Sequence, residues 1–178
     1  MANTPIPVER LNFTFDNSVV PFQYEVAGVC VAGWPNGAKV VDVVANDLNA
    51  PPNLTWLIEA KDYRIITNPP KPTNLGGLAA TVESKVRDSL AAFPVVVQQG
   101  NDPAARSHAG AASSSLRFRV ILHLEPHPQS GAHAALFPVS WAANVLLQLR
   151  SRLSDIDPNP FVLDLASTPA SQVPWSVA

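Results

Sequence analysis

Three side chains have the types and spacing of groups that act on phosphate esters: Asp42, Glu59 and Lys61. Asp42 interrupts the apolar run Lys39–Ala45 (KVVDVVA), and Glu59 comes near the end of the apolar run Leu54–Ala60 (LTWLIEA), two residues before Lys61. On an extended strand residues i and i+2 share a face, so Glu59 and Lys61 point the same way. Carboxylates from two neighbouring strands are hard oxygen ligands suited to Mg2+ or Mn2+. Such an ion would bridge a scissile phosphate, offset its developing charge and acidify a bound water. Lys61 would orient that water or steady the transition state. The same residues also read as an exposed Glu59–Lys61 ion pair at a strand end. Against that stand the apolar run leading straight into Glu59 and the acid inside the preceding strand. With no cation between them, Asp42 and Glu59 should repel, so deleting Glu59 is expected to relieve strain.

The elements that must position these residues follow from periodicity. Leu11–Phe15 alternates like a short strand, and Lys39–Ala45 and Leu54–Ala60 are two more. Val19–Cys30 leans towards a helix, since Phe22, Val26 and Cys30 fall at helical spacing, although β-branched and aromatic residues dominate it. Pro35-Asn36-Gly37 signals a tight turn. Gly76–Phe93 is the strongest helix, with Leu78, Val82, Val86 and Leu90 recurring every fourth residue. Gly100–Ser115, rich in Ala, Ser and Gly, reads as a flexible loop at about 100–115 inside the domain. Leu116–Glu125 is a strand with Leu116, Phe118, Val120, Leu122 and Leu124 on one face; Val139–Leu153 is a second amphipathic helix with Ser140 as its N-cap; Phe161–Leu165 closes as a strand. The 18 prolines cluster between apolar segments and so act as punctuation. This order implies one mixed α/β domain around a central sheet.

Composition removes several function classes. The 178 residues fit one domain with a real core, and no stretch approaches the ~20 apolar residues of a membrane span. Met1–Arg10 lacks a basic start followed by an apolar run, and the single cysteine, Cys30, rules out disulfide scaffolds and cysteine metal clusters. A cytoplasmic location is expected. A net charge of −2 gives no bulk signal for nucleic acid, so any such contact needs a local patch. Residues 85–119 supply one: Lys85, Arg87, Arg106, Arg117 and Arg119 against Asp88 and Asp102. With Lys61, Arg64 and Lys71 this cluster could line a groove beside the acids and contact phosphates. Arg117 and Arg119 read equally well as a solvated strand face. His108, His127 and His133 fall in expected loops, no two of these three stand at i, i+3 or i, i+4, and neither a serine-hydrolase elbow nor a phosphate-binding glycine loop occurs.

The spacing of Asp42 and Glu59-Ala60-Lys61, with a helix (SKVRDSLAAF) and a strand (LRFRVILHLE) downstream, resembles the PD-(D/E)XK nuclease superfamily, the restriction-endonuclease-like fold. The resemblance spans roughly Leu11 to Leu165 and departs from the family pattern at Val41, where the family's proline would stand. It implies an α/β fold with an αβββαβ core over 1–178, and a Mg2+- or Mn2+-dependent endonuclease whose expected substrate is DNA ahead of RNA. It also implies Asp42 and Glu59 as metal ligands, Lys61 as catalytic lysine, and Glu25 as a further acidic ligand. Arg64, Lys85, Arg117 and Arg119 are the expected phosphate contacts. The small patch and small size suggest a second copy or a partner such as an ATPase or recognition subunit, in a nucleic-acid-processing or antiviral defence system. The alternative is a catalytically inactive binding or assembly subunit of the same fold; a weaker one is a structural protein with proline-rich assembly loops.

Overall fold

The computed structural model describes residues 5–24, 39–50, 53–64, 75–126, 140–168 and 173–178. Glu25, Cys30, Lys71, His127, His133 and the Pro35-Asn36-Gly37 turn lie outside the described residues.

A five-stranded mixed sheet runs through the middle of the fold. It comprises β3 (Val19–Phe22), β4 (Val43–Asp47), β5 (Leu54–Asp62), β6 (Arg117–Glu125) and β7 (Phe161–Leu163), in that spatial order. β3, β4 and β5 form an antiparallel meander; β6 and β7 continue it in parallel. Parallel neighbours need a crossover, and helices α1 (Leu75–Gln99) and α2 (Pro103–Ser113) precede β6 while α3 (Trp141–Arg152) precedes β7. A second sheet joins β1 (Ile6–Val8), β2 (Leu11–Phe15) and β8 (Trp175–Val177), all antiparallel.

The molecule is therefore layered, and β5 shows why. Every residue of β5 except Lys61 is buried, as expected of a strand covered on both faces. On one face Val44, Leu57, Val120, Leu122 and Leu124 pack against the helices through Val82, Val86, Val96, Val145 and Leu149. On the other, Val43, Trp56, Ile58, Ala60 and Ile121 pack against the small sheet through Leu11, Phe13, Phe15 and Trp175.

Several expectations need correcting. The helix leaning at Val19–Cys30 gives way to a strand over Val19–Phe22, where β-branched residues suit pairing with β4. The stretch read as a loop at about 100–115 is α2: Asp102 caps it through a 2.8 Å bond from the Ala104 N–H, Pro103 opens it, and its alanines favour a helix. His108 lies on that helix, not in a loop; it is buried between the Tyr24 hydroxyl at 2.8 Å and the Val20 carbonyl at 2.9 Å. Helix α1 continues through Pro94 to Gln99, so this proline interrupts no element. Ser140 stands at the N-cap of α3 but its side chain makes no capping bond. Leu116, expected on the inner face, is 78% exposed. Strands β1 and β8 are too short to show periodicity.

Candidate active site

Asp42 occupies the bend immediately before β4, outside the strand interior. The register pairs Val43 with Ile58, which carries Asp42 to a position opposite Glu59. Oδ2 of Asp42 accepts a 2.8 Å hydrogen bond from the Ala60 N–H, tying the first acid to the peptide between Glu59 and Lys61. The backbone just ahead of it is fixed to α1: the Val41 N–H donates to Ser89 Oγ at 3.0 Å, and that hydroxyl donates to the Lys85 carbonyl at 2.7 Å.

Glu59 is wholly buried on the helix-side face of β5. Its neighbours on that face, Leu57 on β5 and Leu122 on β6, belong to the core shared with the helices. Two ammonium groups reach its carboxylate. Lys61 comes from the same strand at 2.8 Å and Lys85 from α1 at 2.8 Å, and Lys85 Nζ also lies 3.3 Å from Asp42 Oδ1. Glu59 Oε1 sits within ion-pair distance of both nitrogens yet accepts no well-directed hydrogen bond. Burial and then the Asp42 charge raise the Glu59 carboxyl above its usual range, opposed by Lys61 and Lys85. Burial would lower the Lys61 ammonium, but the charges of Glu59, Asp42 and Glu9 outweigh it and hold it above its ordinary value.

A fifth residue closes the cluster. Glu9, in the turn between β1 and β2, has φ 54, the left-handed region that side chains rarely adopt. Its Oε2 accepts the Asp62 N–H at 2.6 Å, and its Oε1 lies 3.6 Å from Lys61 Nζ. The adjacent Arg10 bonds both the Asp62 carboxylate and carbonyl at 3.1 Å. The β1–β2 turn thus grips the end of β5 from the small-sheet side.

Asp42, Glu59 and Lys61 therefore converge, as their spacing implied. Of the expected phosphate contacts, Lys85 belongs inside this cluster and Arg64 is paired with Asp62 at 2.9 Å. Arg117 and Arg119 do not line a groove beside the acids. They alternate with Phe118 and Val120, which face the helices, so they project from the opposite sheet face and stand opposite Leu54 and Trp56, well before Glu59 in the β5 register. Arg119 lies over the Phe161 ring at 4.7 Å and 3.6 Å from buried Asp157. A cavity of about 510 Å3 opens there, bordered by Leu90, Arg117, Phe118, Arg119 and Ile156, and none of the acid cluster lines it. His123, buried against Glu125 at 2.8 Å and edge-on to Phe13, serves the core between the two sheets.

Lys85 had a signal in the sequence. Val82, Lys85, Val86 and Ser89 follow the 3–4–7 spacing of a helix's buried stripe, and a lysine there needs an acid partner. Glu9 had none, because only the pairing of the small sheet against β5 brings it in. No family model, curated protein or solved structure matches the chain, so the functional reading rests on this geometry.

Proposed function

We propose that this chain is a divalent-metal-dependent nuclease with a restriction-endonuclease-like core, hydrolysing phosphodiester bonds, and we assign it DNA ahead of RNA as the substrate. One observation carries the reading: the Asp42 and Glu59 carboxylates meet at a single ammonium nitrogen, with Lys61 on the same Glu59 carboxylate. The antiparallel meander β3-β4-β5, then α1 and α2 and the parallel β6, supports the later part of the order the resemblance calls for, although no helix precedes β3 among the described residues.

The donor set fits Mg2+ or Mn2+. Mg2+ is commonly held by one or two carboxylates with water and substrate phosphate completing its shell, and here two carboxylates already share one cation, the Lys85 ammonium. Asp42 and Glu59 would hold the ion, and Glu25 is the further acidic ligand we assign to it. When bound, the ion would supply charge neutralisation at the phosphate and a more acidic water. Lys61, with a quarter of its side chain exposed, is the ammonium placed to meet a phosphate oxygen or steer a water, while Glu9 and Glu59 keep it charged. We further place the protein in the cytoplasm, acting as a homo-oligomer or with a recognition or ATPase subunit in nucleic-acid processing or defence. No described helix is long and apolar enough to cross a membrane.

The seat of Lys85 between the acids favours one rival, a non-catalytic binding or assembly subunit whose acids are held as a structural ion cluster. A cleavage assay on plasmid and single-stranded DNA with Mg2+, Mn2+ or EDTA, on wild type, Lys61→Ala and Glu59→Gln, decides between them. Metal-dependent cleavage lost in both variants supports the nuclease. EDTA-insensitive cleavage, or equal activity in all three proteins, leaves the binding subunit.

A further inference from the structure

We propose that the Lys85 ammonium is the resident counter-ion of this site: it holds Asp42 and Glu59 together and yields its place when a divalent cation enters. The inference rests on the metal-dependent reading above and concerns how that site is kept ready.

Among the described residues Lys85 is the one cation within ion-pair distance of both acids, 3.3 Å from Asp42 Oδ1 and 2.8 Å from Glu59. Among the described acids, Lys61 pairs with Glu59 and Glu9 and is not within ion-pair distance of Asp42. Two carboxylates this close repel, and burial of Glu59 strengthens the repulsion by removing solvent screening. A single positive charge within ion-pair distance of both offsets it, which is the electrostatic office a divalent cation would fill at the same two carboxylates. The two cations therefore compete.

Lysine suits an exchangeable counter-ion better than arginine. Its charge is compact and sits on a flexible four-carbon stem, so it can leave the acids without moving α1. The helix itself is anchored independently, through Ser89 to the Val41 N–H and through Val82 and Val86 in the core. A tenth of the Lys85 side chain already touches solvent, which gives the ammonium a way out.

Two measurements test this without relying on activity. The first is Mn2+ binding, followed by the electron paramagnetic resonance signal of free Mn2+, on wild type, Lys85→Met, Lys85→Gln and Lys85→Arg, each with and without Asp42→Asn. The neutral variants should bind Mn2+ about tenfold or more tightly than wild type, since a competing unit charge is gone. Lys85→Arg, which keeps the charge, should bind Mn2+ no more tightly than wild type, and Asp42→Asn should abolish the gain. The second uses wild type alone, so it survives any folding failure of the variants. Brief acylation of amines followed by peptide mass spectrometry should show Lys85 labelling rise several-fold on adding Mn2+, with Lys39 unchanged. Neutral variants that bind Mn2+ no better than wild type, or Lys85 labelling that Mn2+ leaves unaltered, overturn the counter-ion role. Cleavage is read separately: an active wild type whose Lys85 never becomes reactive keeps the nuclease and removes this inference. Displacement without cleavage does the reverse, and no Mn2+ binding by any protein removes both.

Discussion

The carboxylate of Asp42 accepts the backbone N–H of Ala60 at 2.8 Å, so one acid of the site is fastened to the peptide that separates the other acid from its lysine. This bond gives Asp42 a structural duty separable from its charge. Asp42→Asn keeps an oxygen acceptor for the buried Ala60 N–H; Asp42→Ala leaves that donor without a partner, at a cost of about 1–3 kcal/mol. Thermal melts should rank wild type and Asn together above Ala, while metal-dependent cleavage falls in both variants. Equal melting of Asn and Ala would show that the bond contributes nothing.

Glu59 behaves differently from what repulsion between two bare acids suggests. Lys61 and Lys85 surround its carboxylate, so removing it strands a buried lysine with Asp42 as its remaining partner. Glu59→Ala should lower stability by on the order of 3 kcal/mol, the scale for breaking a buried ion pair. Urea unfolding measures it, and a variant more stable than wild type would return the argument to simple repulsion.

Charge reversal at Arg117 should leave cleavage within about twofold of wild type and the salt dependence of DNA binding unchanged, since a lost phosphate contact alters the salt slope by about one counterion. The residue lies on the opposite sheet face from Glu59 and at the far end of the β5 register. A reduced slope in a salt titration of DNA binding would place nucleic acid on that face after all.

Acid should destabilise the fold in two windows. Burial lowers the His108 imidazole from 6.5 to about 4, so between those values the unfolded chain binds a proton the folded one refuses, and stability falls as pH drops from 6.5 towards 4. Hydrogen bonding from Arg64, helped by Arg10, holds the Asp62 carboxyl at about 2 against 3.8. Its contribution is fully present above 3.8 and is lost as pH falls through 2. Denaturant melts across pH should show His108→Gln flattening the upper window alone and Asp62→Asn the lower alone.

How far the sequence foretold the site depends on how local each signal is. Asp42, Glu59 and Lys61 were legible because a charge interrupting a continuous apolar run is visible within a few residues, and antiparallel pairing of β4 with β5 is the simplest topology for adjacent strands. Lys85 was legible in type but misplaced, since a helix's charged positions look alike until the buried stripe is traced through Ser89. Glu9 was invisible because its place depends on the β1–β2 turn meeting the end of β5, and α2 was hidden by serines and glycines whose turn preference its alanines and Asp102 cap outweigh. Pro94 shows that punctuation by proline fails where a long helix is held by tertiary packing on both sides of it.

The pairing of β2 with β8 also sets an order of events. Phe13 and Val177 are partners roughly 160 residues apart, a closure whose entropic cost is met only after the chain between them has been made. Asp42, Glu59, Lys61 and Lys85 all emerge from the ribosome long before β8, but the small sheet that presents Glu9 to Lys61 lacks its third strand until residues 175–177 appear. A nascent chain can therefore gather the acids, their lysines and the β1–β2 turn that carries Glu9 before β8 joins the small sheet behind them.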